Sequence, residues 1–98
     1  MAYTVNCNND IELIRGDKLL LQFRCANYKL SSGDTVIFKV ADTSINKTIT
    51  TFTPNGVATI EVPKGETDIQ EKMYKYSIRV ATTSGIDETV IQGNFIIK

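Results

Sequence analysis

The chain contains no histidine and no tryptophan, and only two of its 98 residues are cysteines. Without histidine, a serine or cysteine nucleophile has no imidazole base to activate it. A zinc site is nearly excluded too, because the cysteines, Cys7 and Cys25, do not form a CxxC pair. Cys25 falls at the end of an apolar stretch, where a free thiol acts as a small hydrophobe. An inter-strand disulfide is the other reading, and a reducing compartment works against it. Charge excess is also missing: eleven basic residues balance eleven acidic ones. Nucleic-acid binding normally shows as a basic surplus, so that partner is not expected. No apolar run approaches the ~20 residues of a membrane-spanning helix, and no membrane partner is expected. The first residues, Met1-Ala2-Tyr3-Thr4-Val5-Asn6, lack the basic start and apolar middle of a secretory signal. Such a chain is expected to be made and kept in the cytoplasm until an assembly carries it elsewhere.

What is present is alternation. Met73 to Val80 places Tyr74, Tyr76, Ile78 and Val80 on one face and Lys75, Ser77 and Arg79 on the other. Strict period two marks a strand with one buried and one wet face, and tyrosine and β-branched residues pack well there. This strand is expected to be central, its tyrosine face flooring the core. Before it, Asp10–Ile14 alternates, and Arg15-Gly16-Asp17 reads as a turn rather than as the integrin-binding tripeptide it spells. Lys18–Cys25 points Leu19, Leu21, Phe23 and Cys25 one way. Leu30 tucks back from a connection, and Thr35–Val40 points Val36, Phe38 and Val40 inward. Asn46–Phe52 is more polar and fits no single alternating face, so it reads as an edge strand, bulged or bent. Asn46-Lys47-Thr48 matches a glycosylation pattern by chance in a chain read as lacking a secretory signal.

Pro54-Asn55-Gly56 is a turn, followed by a strand with Ala58, Ile60 and Val62 inward that Pro63 ends. The stretch Glu66–Glu71 is the one helix-like piece, too short to stand alone, with Ile69 as its buried pin. Ser84-Gly85 turns a hairpin. The last strand, Glu88–Ile97, buries Ile91, Phe95 and Ile97, and Gly93 suggests a bulge within it. The sum is an all-β single domain over residues 1–98: an immunoglobulin-like antiparallel β-sandwich of about seven strands, with one short helical turn near 66–71. A small barrel is the alternative. Tyr74 sits where a tyrosine corner would be, or is a plain core residue.

Chemistry finds no foothold in these residues. The carboxylate pairs Asp68/Glu71, Asp87/Glu88 and Asp10/Glu12 lie in turns or on outward faces. Asp17, Asp34, Asp42 and Asp87 do not have the spacing of a calcium loop, and the glycines occur singly. No catalytic, metal-binding or cofactor-binding residue is expected, and no enzyme activity.

Three stretches together carry a resemblance: Gly33–Val40; Gly56–Pro63 with Glu66-Thr67-Asp68; and Tyr74–Ile78 with Thr89–Ile97. From about Asp17 onward the chain resembles the small immunoglobulin-like domains of tailed bacteriophages and prophages of Gram-positive bacteria. It is similar to the N-terminal domain of their baseplate upper proteins. Asn6-Cys7-Asn8-Asn9 departs from that family's first strand. The resemblance implies a virion structural protein of the tail or baseplate, docking onto other phage structural proteins or further copies of itself. The docking element is expected to be the polar edge strand Asn46–Phe52 or the first strand, and the candidate docking surface is Ile37, Ile49 and Phe52, because Ile37 and Phe52 are apolar at positions facing away from the assigned core. The other explanation is a bent edge strand that wraps them inward. A carbohydrate- or host-surface-binding β-sandwich module is the alternative function, with Tyr3 and Tyr28 as the aromatic platform.

Overall fold

The computed structural model describes residues 3–5, 10–25 and 29–98, the first of these segments as backbone. Eight strands and one helical turn follow in order: β1 (Tyr3–Val5), β2 (Ile11–Leu13), β3 (Leu19–Phe23), β4 (Thr35–Val40), β5 (Asn46–Ile49), β6 (Ala58–Val62), α1 (Lys64–Thr67), β7 (Met73–Ala81) and β8 (Asp87–Ile97). They form a six-stranded sheet in the order β1-β2-β8-β7-β4-β5 and a two-stranded sheet of β3 and β6. The all-β class expected from the alternation is present. The expected pairing was wholly antiparallel, and one pair departs from it: β2 runs parallel to β8, Ile11 opposite Phe95 and Leu13 opposite Ile97.

β7 is central, as its alternation requires. It pairs with β8 on one side and β4 on the other, and buries Tyr74, Tyr76, Ile78 and Val80. Phe38 of β4 lies amid them, its ring 5.7 Å from Tyr76 and 6.2 Å from Phe95 between centroids. Offset and edge-on contacts of this kind add to the burial itself. From the small sheet, Leu19 and Phe23 of β3 and Ala58, Ile60 and Val62 of β6 close the same cluster. One apolar core therefore lies between the two sheets, and Leu30 and Ile45 are pinned into it from connections.

Three local expectations are corrected. The helical turn spans Lys64–Thr67 rather than 66–71. Pro63 starts it, at φ −60°, because its missing N–H is no loss where a helix begins. Its buried residue is Thr67, not Ile69, which is half-buried against the core. The Thr67 hydroxyl is 2.5 Å from the Asp17 carbonyl and 3.0 Å from the Lys64 carbonyl. It thereby straps the Arg15-Gly16-Asp17 turn to α1, and Arg15 adds an ion pair to Asp68 at 2.8 Å. In β8 the extra residue is Val90 rather than Gly93: Ile78 faces Ile91, Arg79 faces Thr89, and Val90 is left between them. A bulge there swings Val90 toward the core edge, where it is half-buried.

Tyr74 is more than core filler. Its hydroxyl donates to the Gln70 carbonyl at 2.7 Å, fixing the approach to β7. At the opposite end of the molecule the buried Asp34 carboxylate accepts the Ser31 and Thr83 backbone N–H groups at 2.9 and 3.1 Å. Those two bonds stabilise its charged form and hold its pKa below the usual carboxylate value. Cys25 is a free, half-buried thiol packed on the core; Cys7 lies outside the described residues.

Candidate functional site

β5 is an outer strand of the large sheet, and β6 pairs only with β3 among the described residues. The two strands thus face each other across an opening between the sheets. β5 is only four residues long, as suits an edge, and no bulge interrupts its pairing with β4. Beyond Ile49 the chain crosses from one sheet to the other as residues 50–57, without strand pairing.

The Pro54-Asn55-Gly56 turn sets how that crossing lands on β6. The Thr53 carbonyl accepts the Gly56 N–H at 2.8 Å, the Thr53 hydroxyl accepts the Val57 N–H at 3.1 Å, and the Thr53 N–H donates to the Val57 carbonyl at 3.0 Å. Gly56 takes φ +79° and is buried against Leu30, where a Cβ would lie 2.9 Å from the Leu30 nitrogen. Only glycine combines that backbone with that approach.

The opening is a groove of about 500 Å³ that includes Ile49 and Phe52 and is otherwise lined mostly by threonines, among them Thr51 and Thr59. Lys47 sits opposite Phe38 on the core side of β5 and reaches Glu66 of α1, with 2.6 Å between Nζ and Oε2. A charged side chain turned inward on an edge strand discourages further pairing at that strand. The opening therefore favours β6, whose outer backbone groups are uncovered by any described strand, over β5. No residue lining the groove is titratable. Contacts made there are apolar or neutral hydrogen bonds, with little dependence on pH or salt.

The structure splits the expected docking trio. Ile49 and Phe52 come together in the groove, both half-buried against the core. Ile37 lies on the outer face of the large sheet, flanked by Thr48 and Arg79 in neighbouring strands. The bent-edge explanation accounts for the inward sides of Ile49 and Phe52. The threonine lining was missed by the sequence reading, although Thr48, Thr50, Thr51 and Thr53 fall within six residues of one another. The aromatic platform cannot be placed: Tyr28 lies outside the described residues, and only the backbone of Tyr3 is described. Among the described residues no group of three histidine, cysteine, aspartate or glutamate side chains could hold a metal ion. Among the described residues no helix is long and apolar enough to cross a membrane.

No protein-family model matches the chain, and no curated protein matches it.

Proposed function

We infer that this chain is a non-enzymatic, immunoglobulin-like virion module of a phage or prophage tail or baseplate, docking a neighbouring protein through the groove beside β6. The fold reading is supported by sheet order. With β3 and β6 as strands B and E, and β4, β5, β7 and β8 as C, C′, F and G, the order G-F-C-C′ faces a B–E pair, as in variable-type domains. The Tyr74 hydroxyl bond to Gln70, four residues upstream at the start of strand F, has the geometry of a tyrosine corner. The phage assignment is supported by the sequence resemblance over Gly33–Val40, Gly56–Pro63 and Tyr74–Ile97.

The observation that carries docking is the outer edge of β6, which no strand pairs among the described residues. Where an immunoglobulin-type sheet places a strand D next to E, this chain has the unpaired crossing segment 50–57. An extended segment of a partner fits that position by main-chain hydrogen bonding, with Ile49 and Phe52 accepting alternate side chains. The test uses tail particles purified from the source replicon. The protein is expected in stoichiometric amount, and a Thr51→Lys/Thr59→Lys double variant is expected to be lost from particles while its melting temperature holds. Absence of the wild-type protein from particles would refute the virion role. Retention of the folded double variant would refute the groove as the interface.

A further inference from the structure

The outer face of the large sheet carries a second feature, remote from the groove and independent of the docking reading. Alternation along β4, β7 and β8 turns Lys39, Lys75, Ser77, Gln92 and Asn94 to this face. Ser77 stands opposite both Lys39 and Gln92, and Lys75 opposite Asn94. Ala41, whose N–H donates to the Lys75 carbonyl at 2.8 Å, completes the set. Short side chains at Ala41 and Ser77 lie among the long ones at Lys39, Lys75 and Gln92. The result is a depression of about 610 Å³ with Asp10 at its margin. That size suits a ligand of about two sugar rings.

The polar groups of this depression differ in kind. Lys75 donates to the Asn94 side-chain oxygen at 2.6 Å, which points its ammonium along the sheet. Lys39 has no acidic partner among the described residues. The lysines are diagonal neighbours on adjacent strands, so one anion can meet both. Asp10 is held by the Asn94 N–H at 3.1 Å and places a negative charge beside the buried Tyr76. Its charge opposes a second anion arriving at that end. A polyanion or an acidic peptide with successive carboxylates is therefore disfavoured. A single carboxylate with hydroxyls around it matches, the carboxylate meeting the lysines and the hydroxyls meeting the Ser77 hydroxyl and the amides of Gln92 and Asn94.

We propose that this depression binds an acidic saccharide through one uronate carboxylate clamped by Lys39 and Lys75. The probes are glucuronosylxylose, a disaccharide with a single carboxylate, its neutral methyl ester, and a tetraglutamate peptide, each titrated into the isotopically labelled protein and followed by amide chemical shifts. Glucuronosylxylose is expected to shift the amides of residues 39–41, 75–77 and 92–94 saturably, and to bind at least about tenfold more tightly than the ester. Raising salt from 50 to 500 mM is expected to weaken it, as charge recognition requires. A Lys39→Ala/Lys75→Ala variant, with both changes at exposed positions, is expected to keep its melting temperature and lose that preference. The proposal is overturned by absence of saturable shifts, by equal affinity for the ester, by tetraglutamate binding as well as glucuronosylxylose, or by unchanged affinity in the folded double variant.

Discussion

Removing one oxygen from Tyr74 tests whether the approach to β7 is anchored as the geometry indicates. Phenylalanine at position 74 keeps the ring in the core, where the tyrosine is 6% exposed. It also keeps a ring face for the Lys72 ammonium, which lies 4.9 Å from the centroid. What disappears is the 2.7 Å hydrogen bond to the Gln70 carbonyl. A neutral hydrogen bond contributes about 0.5–1.5 kcal/mol net, and Gln70 is exposed, so water takes over the orphaned carbonyl and adds little further loss. The expected destabilisation is about 1 kcal/mol. For a domain of this size that lowers the melting temperature by about 4–8 °C, measurable by calorimetry with intact cooperativity. Amide exchange in residues 68–73 is expected to accelerate more than exchange in β4 or β8, because the segment loses its tether while the core keeps its packing. A melting temperature within 1 °C of the parent, with unchanged exchange in 68–73, would refute the anchoring role.

Other perturbations test separate parts of the structure. Gly56→Ala forces a side chain onto φ +79° with a carbon 2.9 Å from the Leu30 nitrogen; denaturant titration is expected to show a loss of about 2–4 kcal/mol. Gly16→Ala, at φ +84° in open space, is expected to lose only about 1–2 kcal/mol in the same assay. Asp34 has a folded pKa below its unfolded value, so its stabilisation is present above about pH 4 and is lost as pH falls through the folded value. Asp34→Asn is expected to flatten that acid limb of a urea-midpoint series, and an unflattened limb would refute the assignment. Tyr76 is shifted the other way, upward, by burial and then by the Asp10 charge; its contribution is present below about pH 10 and is lost as pH rises through its folded value. Phe52→Ala, from a half-buried site on the core, is expected to lose about 1–2 kcal/mol, less than the ~3–5 kcal/mol of a fully buried phenylalanine.

Elements read well from sequence where side chains alternate against a shared core. β4, β6 and β7 match their expected faces residue by residue, since one buried and one wet face leave a period of two that no other backbone explains. The Pro54-Asn55-Gly56 and Ser84-Gly85 turns were legible for the same local reason, and Gly56 and Gly85 both adopt positive φ. What failed was decided at a distance. Thr67 looks like any helix-turn residue until the Asp17 carbonyl, fifty positions away, meets its hydroxyl. The bulge fell at Val90 because β7 and β8 must stay in register on both sides of Ile78, a condition that Gly93 does not reveal. The parallel pairing of β2 with β8 depends on where the chain enters the sheet, not on any pattern within Ile11–Leu13. For the candidate site, Ile49 and Phe52 were visible as misfits of alternation. Ile37 was grouped with them as an apolar residue facing away from the core, and it does lie on the outer face, opposite to Val36 and Phe38; what alternation did not reveal is that Phe52 turns inward.

The division into six strands and two has a consequence for how the protein can meet a partner. A two-stranded sheet cannot bury its own backbone edges, and β6 is flanked on its outer side by a crossing segment that offers no ladder. Lys47, turned inward to Glu66, guards the edge of β5, while Thr51, Thr59 and Phe52 line the open groove. An edge left bare along its whole length invites indiscriminate pairing; the inward Lys47 charge works against that at β5, while the lining beside β6 is neutral. The outer face of the large sheet works by the opposite physics, with ammonium groups and amides over a polar floor. Salt separates the two surfaces in one experiment. Association at the groove is expected to persist from 50 to 500 mM salt, because no residue lining it is charged. Binding at Lys39 and Lys75 is expected to fade over the same range. If incorporation of the protein into tail particles proved strongly salt-sensitive, the groove would be the wrong interface and the lysine face would take its place.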